Sequence, residues 1–124
     1  MILGTGIDIV EVARIAAKVA KNNGFRELVF AENEIRYCEK QAHAAQHFAA
    51  RFAAKEAFLK ALGTGWANGT AFNEIEVVHN GQGQPQLQLT GETANTVKPY
   101  GITRMHLSLS HQPSMATAIV ILEQ

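Results

Sequence analysis

Apolar residues recur at helical spacing in the first half of the chain and alternate with polar residues in the second half. After an opening strand over residues 2–10, the pattern predicts helices over 11–22 and 32–41, a short amphipathic piece over 25–30, and a long alanine-rich helix from near residue 43 to residue 62. Strands are predicted over 72–78, 86–90, 104–110 and 114–122, the first two forming a hairpin, with a modest helix over 91–100. This order indicates an α+β fold in which helices pack on an antiparallel sheet.

The long helix is apolar on nearly every side, yet it contains two pairs of charged residues. Glu56 and Lys60 lie four residues apart on one stripe, and Arg51 and Lys55 lie four apart on another. A helix that is apolar all round is usually buried, and charge removed from water needs a partner. Two interpretations stay open: an active-site helix, or a surface ion pair of small energetic value.

The long helix ends at Gly63-Thr-Gly65, which is either an ordinary helix cap or bare backbone that a ligand can approach. It is not a Walker A loop, because the Lys-Ser/Thr pair is missing. Gly4-Thr-Gly6 is not a dinucleotide fingerprint, since no third glycine follows at the required spacing. An ATPase and a Rossmann enzyme are therefore disfavoured.

Asp8 is the second acidic residue of interest, because it interrupts the apolar opening strand. A lone carboxylate there needs a cation or hydrogen bonds. Beside Glu56 it would form an all-oxygen site of the kind that Mg²⁺ prefers. The alternative is that Asp8 caps the helix that begins near Glu11.

The histidines are weaker candidates for metal ligands or substrate-binding groups. His43 and His47 are four residues apart, but no third metal ligand is suggested by the spacing, so we expect two exposed helix histidines. Ser110 and His111 end a predicted strand and place a hydroxyl and an imidazole at its tip.

Composition narrows the class of protein. The chain has 124 residues, no formal net charge, 47% hydrophobic and 18% charged residues, which favours one globular domain over residues 1–124 and excludes disorder. No apolar run reaches the length of a membrane span. Cys38 is the only cysteine, so no internal disulfide can form and a reducing cytoplasm is expected. No activating context surrounds Cys38, so we expect a small core or surface residue rather than a nucleophile.

Basic residues cluster on one predicted helix face, formed by Arg14, Lys18 and Lys21. This face is either a docking surface or merely solvated. A nucleic-acid partner is disfavoured, because the whole chain is neutral and no second basic patch exists.

Four segments resemble, in order and spacing, the holo-acyl-carrier-protein synthase family, the small single-domain 4′-phosphopantetheinyl transferases. The segments are Gly6-Ile-Asp-Ile-Val-Glu11, Arg51-Phe-Ala-Ala-Lys-Glu-Ala-Phe-Leu-Lys-Ala-Leu-Gly-Thr-Gly65, Asn80-Gly-Gln-Gly-Gln-Pro85 and Leu107-Ser-Leu-Ser-His111. The resemblance implies transfer of 4′-phosphopantetheine from coenzyme A to a serine hydroxyl of an apo acyl carrier protein, with adenosine 3′,5′-bisphosphate as co-product.

The resemblance also implies residue roles. Asp8 and Glu56 would hold Mg²⁺ together with the pyrophosphate of coenzyme A, and Lys60 would lie against the same phosphates. Gly63 and Gly65 would let the chain pass close to the coenzyme.

The family forms homotrimers with active sites between neighbouring subunits. Since Arg51 and Glu56 lie on different stripes, one subunit can hardly aim both at a single ligand. Arg51 and His111, with Ser110 beside it, would reach the 3′-phosphate and other parts of coenzyme A from the adjoining chain.

The turn with Gly83 and Pro85 would lie near the adenine. Gln84 departs from the lysine that often precedes this proline, which puts one phosphate or ribose contact in doubt. The basic helix face would receive the acidic acyl carrier protein. The base that accepts the serine proton stays open between a metal-activated water, a ligand carboxylate and His111.

Two other functions remain as rivals. The first is a small trimeric module that binds a nucleotide or an acidic protein without catalysis. The second is a Mg²⁺-dependent phosphohydrolase that uses the same carboxylates.

Overall fold

The computed structural model describes residues 1–66 and 69–124. Its strands are β1 Ile2–Glu11, β2 Ile75–His79, β3 Pro85–Leu89, β4 Arg104–His111 and β5 Met115–Glu123. Its helices are α1 Val12–Ala20, α2 Phe25–Val29, α3 Glu32–Glu39, α4 Ala44–Leu62 and α5 Gly91–Val97. Short 3₁₀ turns occupy Phe72–Glu74 and Lys98–Tyr100.

The predicted α+β class and the order of elements are confirmed, with small shifts at the element ends. The clearest difference is at residues 72–74, where alternation predicted a strand and the chain forms a 3₁₀ turn. None of the helices within the described residues is long and apolar enough to cross a membrane.

The strands form two antiparallel sheets. β5 lies between β1 and β4 in a three-stranded sheet, and β2 pairs with β3 as the predicted hairpin. In the first sheet Asp8 lies opposite Ala118, and Ser110 lies opposite Thr117. In the hairpin His79 lies opposite Pro85.

Helix α4 runs through the centre of the molecule. It packs mainly against β1 and β5, and it also contacts α1 and α3. Burial extends to all its faces, as the sequence predicted. Its buried side chains are Phe48, Ala49, Ala50, Arg51, Phe52, Ala53, Ala54, Lys55, Ala57, Phe58, Leu59 and Ala61.

Two glycines allow β1 to lie directly against the backbone of α4. A Cβ atom added to Gly6 would lie 1.9 Å from the carbonyl oxygen of Ala57, and one added to Gly4 would lie 1.9 Å from that of Ala61. Real side chains cannot come that close, so only glycine fits at these positions. The Gly4-Thr-Gly6 segment is thus a packing device that brings β1 onto the helix.

A buried ion pair joins α3, α4 and the segment that leads into β2. The Lys55 ammonium donates hydrogen bonds to Oε1 of Glu34 at 2.7 Å and to the carbonyl oxygens of Phe72 at 2.9 Å and Ile75 at 2.6 Å. Oε2 of Glu34 accepts a hydrogen bond from the backbone N–H of Val77 at 3.0 Å. Burial lowers the pKa of Lys55, while the Glu34 charge opposes that effect. Three acceptors around one ammonium compensate for its removal from water.

Candidate active site

Asp8 on β1 and Lys60 on α4 are in contact. The Lys60 ammonium donates to Oδ1 of Asp8 and to the carbonyl oxygen of Ile7, both at 3.0 Å. Strand alternation places Asp8 on the same face as the buried residues Gly6 and Val10, which is the face packed on α4. The close passage of β1 over the helix therefore brings these two charges together.

Glu56 lies one turn before Lys60 on α4 and is half-buried. Burial is the largest cause that raises the pKa of Glu56, and the Asp8 carboxylate raises it further. The charges of Lys60 and Arg14 act in the opposite direction. The structure thus brings Asp8, Glu56 and Lys60 into one electrostatic cluster with Arg14 at its edge.

The donor set fits a hard divalent cation. Two carboxylates that repel each other gain most from a cation between them, and oxygen ligands are those that Mg²⁺ prefers. Within residues 1–66 and 69–124, no group of three or more His, Cys, Asp or Glu side chains is arranged to hold a metal ion. A cation held by Asp8 and Glu56 would therefore take its remaining ligands from water and substrate oxygens.

The alternative that Asp8 caps the first helix is wrong. The N-cap of α1 is Glu11, and no side chain caps it by a hydrogen bond. Asp8 lies within the β1–β5 ladder, where its carbonyl oxygen accepts a hydrogen bond from the Thr117 hydroxyl at 2.8 Å.

Arg51 faces a different region from Glu56, as their different stripes predicted. Its side chain is buried, and its guanidinium carbon lies 4.3 Å from the centre of the Tyr37 ring. Its Nε has no hydrogen-bond partner within the described residues. Arg51 also lines a cavity of about 210 Å³ together with Asn33, Glu76 and His79. A buried cation beside a cavity is suited to an anionic ligand.

His111 at the end of β4 belongs to the same region as Arg51. Its Nδ1 lies 2.8 Å from Oε1 of Gln46, and its ring contacts the His47 ring edge-on at 5.0 Å. His47 in turn contacts Tyr37, which lies under Arg51. The expectation that His43 and His47 are both exposed is correct for His43 and wrong for His47, which is partly buried by these rings.

The hairpin turn is held by Asn80. Its side-chain oxygen accepts hydrogen bonds from the backbone N–H groups of Gln82 at 2.8 Å and Gln84 at 3.0 Å. Gly83 takes a positive φ of 82°, which favours glycine, and Pro85 begins β3. A cavity of about 340 Å³ lies between this turn and the part of β4 before Ser110. Two hydrogen bonds to the Asn80 side chain thus hold the turn beside this cavity.

The segment that follows α4 is exposed at Gly63, Thr64 and Gly65. Gly63 ends the helix in the left-handed region at φ 81°, and Gly65 has φ 58°. No atom lies within 4 Å of a Cβ built on either glycine, so conformation rather than crowding explains both. The bare backbone at the end of the Glu56–Lys60 stripe is thus accessible.

The basic face of α1 borders an apolar groove. The Arg14 guanidinium lies 6.0 Å from the centre of the Phe52 ring, and the Lys18 ammonium lies 5.6 Å from that of Phe25. Lys21 follows the last residue of α1 and is exposed. The groove has a volume of about 310 Å³ and is lined mainly by Phe25, Leu28, Phe52, Trp66 and Phe72.

Sequence reasoning missed the role of Glu34 and the apolar groove. Glu34 carries no signal of its own, because its partner Lys55 is 21 residues away and meets it only through packing. The groove depends on rings from separate elements, of which Trp66 and Phe72 stack at 6.4 Å.

Cys38 is buried, and burial raises the pKa of its thiol to about 11, which agrees with the expectation that it is no nucleophile.

Comparison with known proteins identifies the family. The model of the 4′-phosphopantetheinyl transferase superfamily matches residues 4–115. The holo-(acyl-carrier-protein) synthase of Geotalea daltonii is 46% identical over 125 residues, which cover 100% of both chains. That of Koribacter versatilis is 47% identical over 124 residues and 99% of both chains.

Comparison with solved structures indicates the same family. The holo-(acyl-carrier-protein) synthase of Neisseria meningitidis superposes with a TM-score of 0.90 at 32% identity, covering 100% of both chains. The Bacillus anthracis enzyme, in complex with CoA (3′,5′-ADP), gives 0.79 at 37% identity, covering 98% of this chain and 96% of that one. The Helicobacter pylori enzyme, in complex with coenzyme A, gives 0.83 at 30% identity, covering 96% and 99%. The chain therefore belongs to the 4′-phosphopantetheinyl transferase superfamily, within the family of holo-(acyl-carrier-protein) synthases.

Proposed function

We propose that this chain, acting as one domain over residues 1–124, transfers the 4′-phosphopantetheine group of coenzyme A to a serine hydroxyl of an apo acyl carrier protein. The observation that carries the proposal is the cluster of Asp8, Glu56 and Lys60, where two carboxylates and an ammonium meet beside the bare backbone at Gly63 and Gly65. The relatives, which are holo-(acyl-carrier-protein) synthases, support the same reaction.

The reaction is a phosphoryl transfer. The serine oxygen forms a bond to the phosphorus next to the pantetheine, and the bond from that phosphorus to the bridging oxygen breaks. Adenosine 3′,5′-bisphosphate leaves with the electron pair, and the serine proton passes to a base. Negative charge builds up on the bridging oxygen, so the protein assists chiefly by positioning and by positive charge.

Lys60 supplies positive charge on an exposed side chain. This side chain is 52% exposed, and its hydrogen-bond partners among the described residues are Asp8 and the carbonyl oxygen of Ile7. It can therefore turn from Asp8 to the pyrophosphate when coenzyme A binds. Asp8 and Glu56 would hold Mg²⁺, which supplies charge neutralisation at the phosphates when bound.

Coenzyme A would extend from this cluster to a neighbouring subunit. Arg51 is buried and lines a separate cavity, and no contact within the described residues joins His111 to Asp8, Glu56 or Lys60. Arg51, Ser110 and His111 would thus meet the 3′-phosphate and its surroundings across a subunit interface. Of the three candidate bases for the serine proton, His111 would act from the neighbouring subunit, whereas a ligand carboxylate or a metal-activated water would act from the Asp8 and Glu56 cluster.

The outer face of the three-stranded sheet supports assembly into a homotrimer. Ile7 and Ile119 lie directly opposite each other on β1 and β5 and are 63% and 40% exposed, and Ile9 is 65% exposed. Apolar side chains collected on one sheet face are typical of an interface. The adenine would lie in the cavity beside Gly83 and Pro85.

The acyl carrier protein would dock on α1. Arg14, Lys18 and Lys21 offer positive charge to an acidic partner, and the groove with Phe25 and Phe52 lies directly beside them. A basic rim around an apolar groove suits an acidic amphipathic helix. The groove is next to Glu56, because Phe52 and Glu56 are four residues apart on α4.

The test is intact mass spectrometry of an apo acyl carrier protein incubated with this protein, coenzyme A and Mg²⁺. We expect the carrier to gain one phosphopantetheine, and EDTA to abolish the gain. Glu56→Gln should lose most activity, while Glu92→Gln, on an exposed position of α5, should retain it.

Two results would contradict the proposal. Coenzyme A binding without transfer to any of several carriers would favour a binding module. Breakdown of coenzyme A without a carrier would favour a phosphohydrolase.

A cytoplasmic location would be consistent with coenzyme A and an acyl carrier protein as the two substrates.

A further inference from the structure

A continuous row of four rings in contact, called the stack below, lies beside Arg51; Tyr37 and His79 pack face to face, and the other two contacts are edge-on. The centres of His111 and His47 are 5.0 Å apart, those of His47 and Tyr37 are 5.8 Å apart, and those of Tyr37 and His79 are 4.7 Å apart. The rings come from β4, α4, α3 and β2, so four elements converge here. Three of the four rings are imidazoles.

The positive charge of Arg51 beside this stack has no direct acidic partner among residues 1–66 and 69–124. Arg51 is 2% exposed, its Nε has no partner within the described residues, and no ion pair joins it to an acid there. Glu76 from β2 lines the same cavity of about 210 Å³, without forming an ion pair with Arg51. The cavity therefore contains a buried cation next to space for an anion.

The surroundings oppose protonation of two imidazoles. Burial is the main cause that lowers the pKa of His47, followed by the charges of His111, Arg51, His43 and His79. Burial also lowers the pKa of His79, and Arg51 lowers it further. Both rings are thus mostly neutral at neutral pH while the cavity is empty of anions.

We infer that His47 and His79 couple coenzyme A binding to proton uptake, because the 3′-phosphate at Arg51 favours the protonated form of both rings. This inference rests on the proposed function, which places that phosphate at Arg51. A phosphate dianion offsets the repulsion among Arg51 and the imidazoles, so each ring is more readily protonated in the complex than in the free protein. Binding and protonation then strengthen each other.

The coupling gives the two histidines a part in donor specificity. A coenzyme A that lacks its 3′-phosphate brings no charge to the stack, so it gains nothing from protonation. We therefore expect the preference for coenzyme A over 3′-dephospho-coenzyme A to grow as the pH falls from 8 to 7. With uptake of about half a proton, the affinity for coenzyme A changes about threefold per pH unit.

Calorimetric titration tests the inference without catalysis. Coenzyme A and 3′-dephospho-coenzyme A are each titrated into the protein at pH 7 and pH 8, in two buffers that differ in ionisation enthalpy, so that proton uptake is measured directly. We expect uptake with coenzyme A and little with the dephospho form. Because the phosphate has its own second pKa near 6, the comparison of variants isolates the histidines.

His47→Phe keeps a ring in the stack but removes the imidazole that takes up a proton at position 47. His79→Gln removes the imidazole at position 79. Each should reduce both the uptake and the pH dependence of coenzyme A affinity. The control is Glu92→Gln, since Glu92 is exposed on α5 and lies outside the stack. Circular dichroism checks that each variant is folded.

Uptake that is unchanged in both stack variants would overturn the inference and leave the proposed function standing. Affinities for coenzyme A and 3′-dephospho-coenzyme A that depend equally on pH would also overturn the inference and leave the proposed function standing. A wild-type protein that binds neither coenzyme would overturn the proposed function as well.

Discussion

The ammonium group of Lys55 lies 2.7 Å from Oε1 of Glu34, and both side chains are fully buried. This pair fixes α3 against α4, and through the carbonyl oxygens of Phe72 and Ile75 it also fixes the entry to β2. Phe72 lines the apolar groove, and β2 carries Glu76 and His79 to the Arg51 cavity. One buried contact thus supports two parts of the proposed site.

Glu34→Gln should destabilise the fold strongly, because it leaves the Lys55 charge buried without its counter-charge. Breaking a buried pair in this way costs about 3–5 kcal/mol. Urea denaturation measures the loss. The matched control is Glu32→Gln on the same helix, whose exposed pair with Arg36 spans 3.6 Å and should contribute little. Equal urea midpoints for the two variants would contradict the structural role assigned to the pair.

Gly6→Ala should destabilise the protein and disturb the site together. The new methyl group would lie 1.9 Å from the Ala57 carbonyl oxygen, so β1 must move away from α4. Overpacking of this kind typically costs about 1–3 kcal/mol, and the movement would separate Asp8 from Lys60. Thermal denaturation and Mg²⁺ binding are the measurements.

Gly81→Ala is the control for this variant, because no atom lies within 4 Å of a Cβ placed there. Should Gly6→Ala unfold at the same temperature as Gly81→Ala, β1 would not be in close contact with the helix in solution.

Removing the charge of Asp8 and removing the charge of Arg14 should shift the pKa of Glu56 in opposite directions. Burial and the Asp8 charge raise it, and Arg14 lowers it. Asp8→Asn should therefore lower the pKa of Glu56 and Arg14→Ala should raise it, as followed by NMR titration of the glutamate carboxyl carbon. A pKa that both variants leave unchanged would place Glu56 away from the other two residues.

The raised pKa of Glu56 also predicts the acid limb of the pH–rate profile. Glu56 must be ionised to hold a cation, and its raised pKa means that it takes up a proton at a higher pH than an ordinary glutamate does. As the pH falls, kcat/KM should decline before ordinary glutamates are protonated, and excess Mg²⁺ should shift the decline to lower pH. An acid limb insensitive to Mg²⁺ would contradict the assignment.

Lys21→Glu should weaken docking of the acyl carrier protein while the affinity for coenzyme A stays the same. Reversal of one charge on a steering surface should slow association by about tenfold at low ionic strength. Stopped-flow association at two salt concentrations measures the effect. Arg14→Glu is a less specific test of docking, because Arg14 also acts on Glu56. Salt-independent, unchanged association of Lys21→Glu would argue for a merely solvated face.

Local patterns predicted the elements, but not the long-range contacts. The strand period puts Asp8 on the same face as Gly6 and Val10, but the burial of that face, while Ile7 and Ile9 are exposed, is a finding of the structure. The contact of Asp8 with Lys60 required knowing that β1 crosses α4 over glycines.

Residues 72–74 show why alternation can mislead. The pattern there fits a strand, yet the Lys55 ammonium binds the carbonyl oxygens of Phe72 and Ile75, and the chain turns to present both. Glu34 was unpredictable for the same reason, since its environment is made by residues distant in sequence. The roles proposed for Arg51 and His111 remain predictions that depend on assembly.

The crowded surroundings of α4 limit how this protein can be altered. Its small residues, such as Ala53, Ala54 and Ala57, are fully covered by neighbouring elements, so a larger side chain would meet backbone or packed rings on almost every face. The helix that supplies most of the proposed catalytic groups should therefore accept few substitutions. Laboratory selection for new coenzyme A analogues or foreign carriers should find its adaptive changes in the hairpin turn, the exposed face of α1 and the rim at Trp66.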